Sequence, residues 1–132
     1  MNKRETLSLC LPSRPEISRD YIGVYEAKLF DQFDRRGASY EQARLRCVSV
    51  EELQNPCFQI NTRYWISKDA LVPKLPGYWI AHWLLVWQDI TDVNTMARTV
   101  SSAILPLSGT DFTIRACLGP IRKTEQLAWC AF

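Results

Sequence analysis

Apolar residues recur with a readable rhythm in the second half of the chain and only weakly in the first. From Trp79 to Trp87 the residues Trp79, Ala81, Trp83, Leu85 and Trp87 alternate with Ile80, His82, Leu84 and Val86. Both sets are apolar apart from His82, the pattern of a strand buried on both faces. Thr62 to Ile66 is aromatic and β-branched, as a short strand should be, and Ser67 ahead of Lys68, Asp69, Ala70 and Leu71 predicts a capped helical turn stopped by Pro73 and Pro76. Thr99 to Leu105 predicts a strand ended by Pro106, and Phe112 to Leu118 another. After Pro120, the run Lys123 to Phe132 has helical density but no terminal Gly or basic last turn, so an incomplete helix is expected there.

The first half is harder to read. Between Tyr21 and Phe33, the residues Tyr25, Leu29, Phe30 and Phe33 fit a helical face, while Val24, Glu26, Lys28 and Phe30 alternate as a strand. The start of this element is expected to be extended. Asp34 to Tyr40 is a polar loop in which Gly37 supplies a backbone conformation that other residues resist. Tyr40 to Leu53 is charged, with a loop and one or two helical turns expected. Residues 1–20, with two prolines and no sustained rhythm, predict a lead-in strap ahead of a partial domain over 21–132. The fold class that follows is α+β: a small mixed sheet of about 4–5 strands with short helices and an incomplete C-terminal helix.

Composition narrows the classes. With 132 residues, 47% hydrophobic and 23% charged, the chain fits one globular domain and excludes both a disordered tail and a multidomain enzyme. The net charge of +2 is too weak for its overall field to argue for nucleic acid or an anionic membrane, so such a partner must be argued from local residues. The longest apolar stretch, Tyr78 to Trp87, spans about half of the ~20 residues a membrane helix needs, and no secretory leader is recognised at the N-terminus. Five cysteines without a close pair build neither a zinc knuckle nor a redox motif, and their plain context is a reduced, cytoplasmic one.

Most candidate chemistry has an ordinary structural explanation. Five unclustered glycines give no cofactor cradle. Asn55-Pro56-Cys57-Phe58 is similar to the Asn/Asp-Pro-Pro-Tyr/Phe motif of amino-methyltransferases, but Cys57 replaces the second proline, and a turn is the favoured reading. His82, the single histidine, is expected to be a hydrogen-bonded core residue. Asp31, Asp34, Asp89 and Asp92 are expected to cap turns and pair with arginines rather than bind magnesium. The tryptophans read mainly as core. Lys28, Gln32, Asp34, Arg35 and Arg36, joined by Arg44, Arg46 and Arg63, are more suggestive. Arg and Lys contact phosphates and guanine edges and Gln can read adenine, although a charge run is usually just a solvated loop.

The sequence Val24-Tyr25-Glu26-Ala27-Lys28-Leu29-Phe30-Asp31-Gln32-Phe33-Asp34-Arg35-Arg36, followed by Ala38-Ser39-Tyr40-Glu41, resembles the start of the specificity region in adenine-specific DNA methyltransferases of type IIG restriction-modification and related phage-defence systems. The resemblance continues at Arg63-Tyr64-Trp65-Ile66, at Trp83 to Thr91, and at Arg98-Thr99-Val100 leading to Leu105-Pro106. Two positions depart from the family pattern: Arg35 stands where a histidine is usual and Gln88 where an arginine is usual. The family's cofactor loop and Asn-Pro-Pro-Tyr motif have no counterpart here. The resemblance therefore implies a target-recognition fragment without catalytic residues, metal or cofactor, contacting DNA through Lys28, Gln32, Arg35, Arg36, Arg63 and Arg98. Its partners would be DNA and a methyltransferase catalytic module in trans, with no membrane involved. The alternative is a non-catalytic interaction module or truncated remnant that docks on a partner subunit through the apolar segment Leu127 to Phe132.

Overall fold

The structure, a computed structural model, describes residues 20–32, 34–89 and 100–131. The lead-in over 1–19, Phe33, Asp92, Arg98 and most of the connection around them lie outside the described residues. Strand β1 (Tyr21–Tyr25) runs into a 3-10 turn (Ala27–Leu29), then a polar turn, then a hairpin of β2 (Ala38–Glu41) and β3 (Arg44–Cys47). Helix α1 (Val50–Gln54), strand β4 (Tyr64–Ser67) and helix α2 (Lys68–Leu71) follow, and after a second 3-10 turn come β5 (Trp83–Gln88), β6 (Ser102–Pro106), β7 (Gly109–Thr110), β8 (Ile114–Cys117) and α3 (Ile121–Ala131). Among the described residues no helix is long and apolar enough to cross a membrane.

The class is α+β, as expected, but the described strands form three small sheets rather than one: β4-β1-β7, the pair β2-β3, and β6-β5-β8. Pro106 helps to explain the division. It faces Trp83 at the end of β6, and having no N–H it cannot extend the ladder. Three residues on, the chain joins the first sheet, where β7 pairs with β1 in parallel through Val24↔Gly109 and Tyr25↔Thr110. The approach is close: a Cβ at Gly109 would lie 2.9 Å from Val24 Cγ2 and 3.1 Å from Ile66 Cγ2.

Strand β5 anchors the core. Leu84, Leu85 and Val86 are buried in succession, so both faces of the strand are covered, as its sequence predicts. Leu84 and Val86 pack in one cluster with Tyr25, Leu29, Phe30, Tyr40, Leu105 and others, while Val24, Ile66 and Leu71 form a smaller cluster over the first sheet. The strand starts later than its sequence suggests, because the Trp79 N–H closes a turn onto Pro76 O at 2.8 Å. Trp79 is buried, but Ile80 is exposed and His82 is not a core residue: its side chain is exposed just before the strand. Its backbone carbonyl accepts from Leu107 N at 2.8 Å.

Several local expectations match the structure. β1 is extended before the chain tightens at Ala27, and the Ser67 hydroxyl caps α2 by accepting from Asp69 N. Asn55 makes a turn, with Phe58 N donating to its carbonyl at 3.1 Å and Cys57 N to its side-chain Oδ1 at 3.0 Å. Pro120 precedes α3, and its carbonyl accepts from both the N–H and the hydroxyl of Thr124.

Two differences lie between Gly37 and Leu53. Gly37 has no positive φ; its requirement is space, since a Cβ there would sit 3.1 Å from Asp31 N. Positive φ falls instead on Gln42 (47°) and Ala43 (65°), which join β2 to β3 in a hairpin where a loop was expected. The expected helical turn is α1, opened by a reciprocal cap in which Glu52 N donates to Ser49 Oγ and Ser49 N donates to Glu52 Oε2.

Candidate functional site

The polar turn after the first 3-10 element sends its cations to different tasks. Asp31 and Asp34 exchange backbone hydrogen bonds, and Asp34 Oδ1 accepts from Arg36 N at 2.9 Å. The Arg36 guanidinium then donates to Leu53 O and Asn55 O, both at 3.0 Å, capping the end of α1 and adding to the Phe58 N–H that Asn55 O already accepts. Gln32 is also committed to the fold, its amide oxygen accepting from Ser102 N at 2.8 Å. Lys28 pairs with Glu26 at 3.5 Å and lies 5.6 Å from the Tyr40 ring centroid. The Tyr40 phenol and then Glu26 raise its pKa above the ordinary lysine value.

Arg35 lines a cleft of about 430 Å³ together with Tyr25, Ile22, Trp65, Trp83 and Ile104. Burial raises the Tyr25 phenol above its ordinary value, and the positive charge of Arg35 beside it pulls the other way. The Ser108 hydroxyl, in the wall of the same cleft, is buried and has no hydrogen-bond partner among the described residues. A second groove, also about 430 Å³, is lined by Tyr40, Gln42, Ala43, Asn61 and Arg63. Thr62 and Trp65 line both, so the two hollows adjoin across a shared wall and each carries one arginine.

The remaining arginines separate into those held in ion pairs and those without one among the described residues. Arg46 is held by Glu41 at 2.8 Å and by Glu52 at 2.6 Å. Arg46, with the Ser49 N–H, pulls the Glu52 carboxyl down to about 2. Arg115 pairs with Asp89 at 2.7 Å and lowers its pKa. By contrast Arg35, Arg44 and Arg63 make no ion pair among the described residues, and Arg63 lies 5.1 Å from the Tyr64 ring centroid. Exposed pairs contribute little to stability, so what matters here is which cations stay available for an outside anion.

Of the residues singled out from sequence, the structure sets Arg35 and Arg63 in adjoining hollows, gives Arg36 and Gln32 work inside the fold, and leaves Lys28 exposed beside Glu26. Arg98 lies outside the described residues. Sequence reasoning overlooked Gln42 and did not single out Arg44 from its basic neighbours, because it missed the hairpin that presents them. The available signal was the charged repeat Arg44-Leu45-Arg46 two residues after Tyr40-Glu41, with no Asn-Gly between to mark the turn. Among the described residues no three His, Cys, Asp or Glu side chains gather where a metal ion could be held, and Cys47, Cys57 and Cys117 are free thiols.

The arrangement is that of a small α+β domain with two adjoining aromatic grooves, each bearing an arginine without an acidic partner among the described residues. Comparison with known protein families, with curated proteins and with solved structures finds no match for this chain.

Proposed function

We propose that this chain is a non-catalytic DNA-contacting module, the target-recognition part of an adenine-specific DNA methyltransferase of the restriction-modification kind. It acts in the cytoplasm with a catalytic module supplied in trans. The observation that supports this reading is the pair of adjoining grooves, where Arg35 and Arg63, beside the aromatic walls of Tyr25, Trp65 and Tyr40, make no ion pair among the described residues. An arginine already neutralised within the fold, as Arg46 is, brings little to a phosphate; a free one releases counterions when it binds. Lys28 is already paired with Glu26, so Arg35 and Arg63 carry the phosphate contacts, while Arg36 and Gln32 hold the turn that carries Arg35.

The test is fluorescence anisotropy of labelled duplex DNA with the full chain, alone and with the catalytic module, across a salt series. Binding should weaken as salt rises, and the double change Arg35→Gln with Arg63→Gln should flatten the log–log slope by about two, roughly 0.9 per lost phosphate contact. No binding at low salt in either setting would sink the reading. A second reading, a module that docks on a partner subunit, is favoured by Leu127, which is 56% exposed on α3. It expects co-elution with the catalytic module to depend on Leu127 and DNA affinity to be indifferent to Arg35 and Arg63.

A further inference from the structure

The hairpin β2–β3 is anchored at its base and bare at its tip. At the base, Tyr40 N donates to Asn61 O at 3.0 Å, Asn61 N to Ser39 Oγ at 3.0 Å, and Val48 N to Gly37 O at 3.3 Å. The Arg46–Glu52 pair ties β3 to the first turn of α1. Beyond these anchors every residue from Glu41 to Leu45 is exposed. The two-residue turn holds Gln42 and Ala43 at positive φ, which Asn-Gly or Gly-Gly would adopt at less cost. The local sequence thus keeps a long amide side chain at the tip where the backbone favours glycine.

We infer that this ribbon enters the major groove of duplex DNA and that Gln42 and Arg44 read base edges there. The inference rests on the DNA-contacting role proposed above. A two-stranded ribbon, with strands about 4.8 Å apart, fits a groove about 12 Å wide. Gln matches the N6 and N7 edge of adenine, and Arg the O6 and N7 edge of guanine. Arg44 makes no ion pair among the described residues, although Glu41 stands opposite it across the ribbon, because that carboxylate is engaged by its neighbour Arg46, which two carboxylates hold. Arg63, in the groove between the ribbon and β4, is placed to meet the phosphate backbone alongside. The division of labour is therefore specific: Gln42 and Arg44 give preference, Arg63 and Arg35 give grip. Duplex RNA is the wrong partner, because its major groove is too narrow for side chains to read.

The test selects preferred duplexes from a random pool with the full chain, then repeats the selection with Gln42→Gly and with Arg44→Gln. Gln42→Gly suits the positive φ, so the turn survives while the reading group is lost; amide hydrogen exchange at Tyr40 and Asn61 verifies the hairpin. Each variant should lose about tenfold in preference for the selected site over random duplex while keeping the salt slope. Replacing adenine or guanine in the site by its 7-deaza analogue should cost wild type a similar factor and the matching variant nothing. Salt-dependent binding without preference, or preference that survives both variants or the 7-deaza bases, overturns the inference and leaves the DNA-contacting role standing. Absence of salt-dependent binding both alone and with the catalytic module overturns both.

Discussion

In the sheet β6-β5-β8 three successive residues of the central strand, Leu84, Leu85 and Val86, are buried, whereas in the ribbon β2-β3 everything from Glu41 to Leu45 faces outward. The sheet draws its stability from apolar area removed from water. The ribbon has little such area beyond Ala38 and Tyr40, and is fixed by hydrogen bonds to the 60s segment and by the Glu41–Arg46–Glu52 chain of charges. A domain assembled this way has a part that is hard to alter and a part whose outer surface is open to change. That is the distribution expected of a scaffold that carries a recognition element.

The largest contrast should appear between two leucines. Leu105→Ala, at a fully buried position of β6, should cost about 2–5 kcal/mol, and Leu45→Ala on the ribbon should stay within about 0.5 kcal/mol. Urea denaturation midpoints measure both, and equal costs would erase the distinction. Gly109→Ala comes next: its methyl would press on Val24 and Ile66, at about 1–3 kcal/mol, also read from the urea midpoint. Arg36→Met removes two charge-assisted bonds to carbonyls and should cost about 1–2 kcal/mol. Hydrogen exchange should place that loss in α1 and the ribbon base rather than in β5.

The smallest effect is one of pH. Glu52 has a folded-state pKa of about 2, held below the ordinary carboxylate range by Arg46 and the Ser49 N–H. The stabilisation is complete above the unfolded carboxylate pKa and disappears as pH falls through that value towards about 2. Because the pair is exposed the effect is modest and salt-sensitive. NMR shifts of the Ser49 and Glu52 amides should follow this titration while those of Leu84 to Val86 do not, and Glu52→Gln should abolish it.

The same two regions explain what could be read from sequence. In β5 the buried run Leu84 to Val86 lets the apolar pattern locate the strand, although the pattern overshoots at Trp79 to His82, where the Pro76 turn takes the chain out of register. Caps and turns were equally plain: Ser67, Asn55 and Pro120 act through local chemistry that needs no distant partner. The hairpin was hidden because Gln42-Ala43 lacks the residues that usually mark such a turn and because exposed strands show no apolar alternation. Arg35 and Arg36, adjacent and chemically identical, have different roles, one lining a cleft and one capping a helix. Only the path of the chain separates them; sequence grouped both with Arg63 as one basic set.

The parallel pairing of β7 with β1 carries a consequence for how the molecule is made. β1 finds its antiparallel partner β4 early, but its other edge waits for Gly109 and Thr110, most of a chain later. A pairing so distant must pay its loop-closure entropy before it is rewarded, which slows folding. Until β7 is made, β1 has no partner on that edge among the described residues, and such a row of bare backbone donors and acceptors is one that a neighbouring nascent chain can occupy. The two-residue strand that finally pairs with Val24 and Tyr25 works as a latch on the end of β1, and its glycine lets the latch close flush.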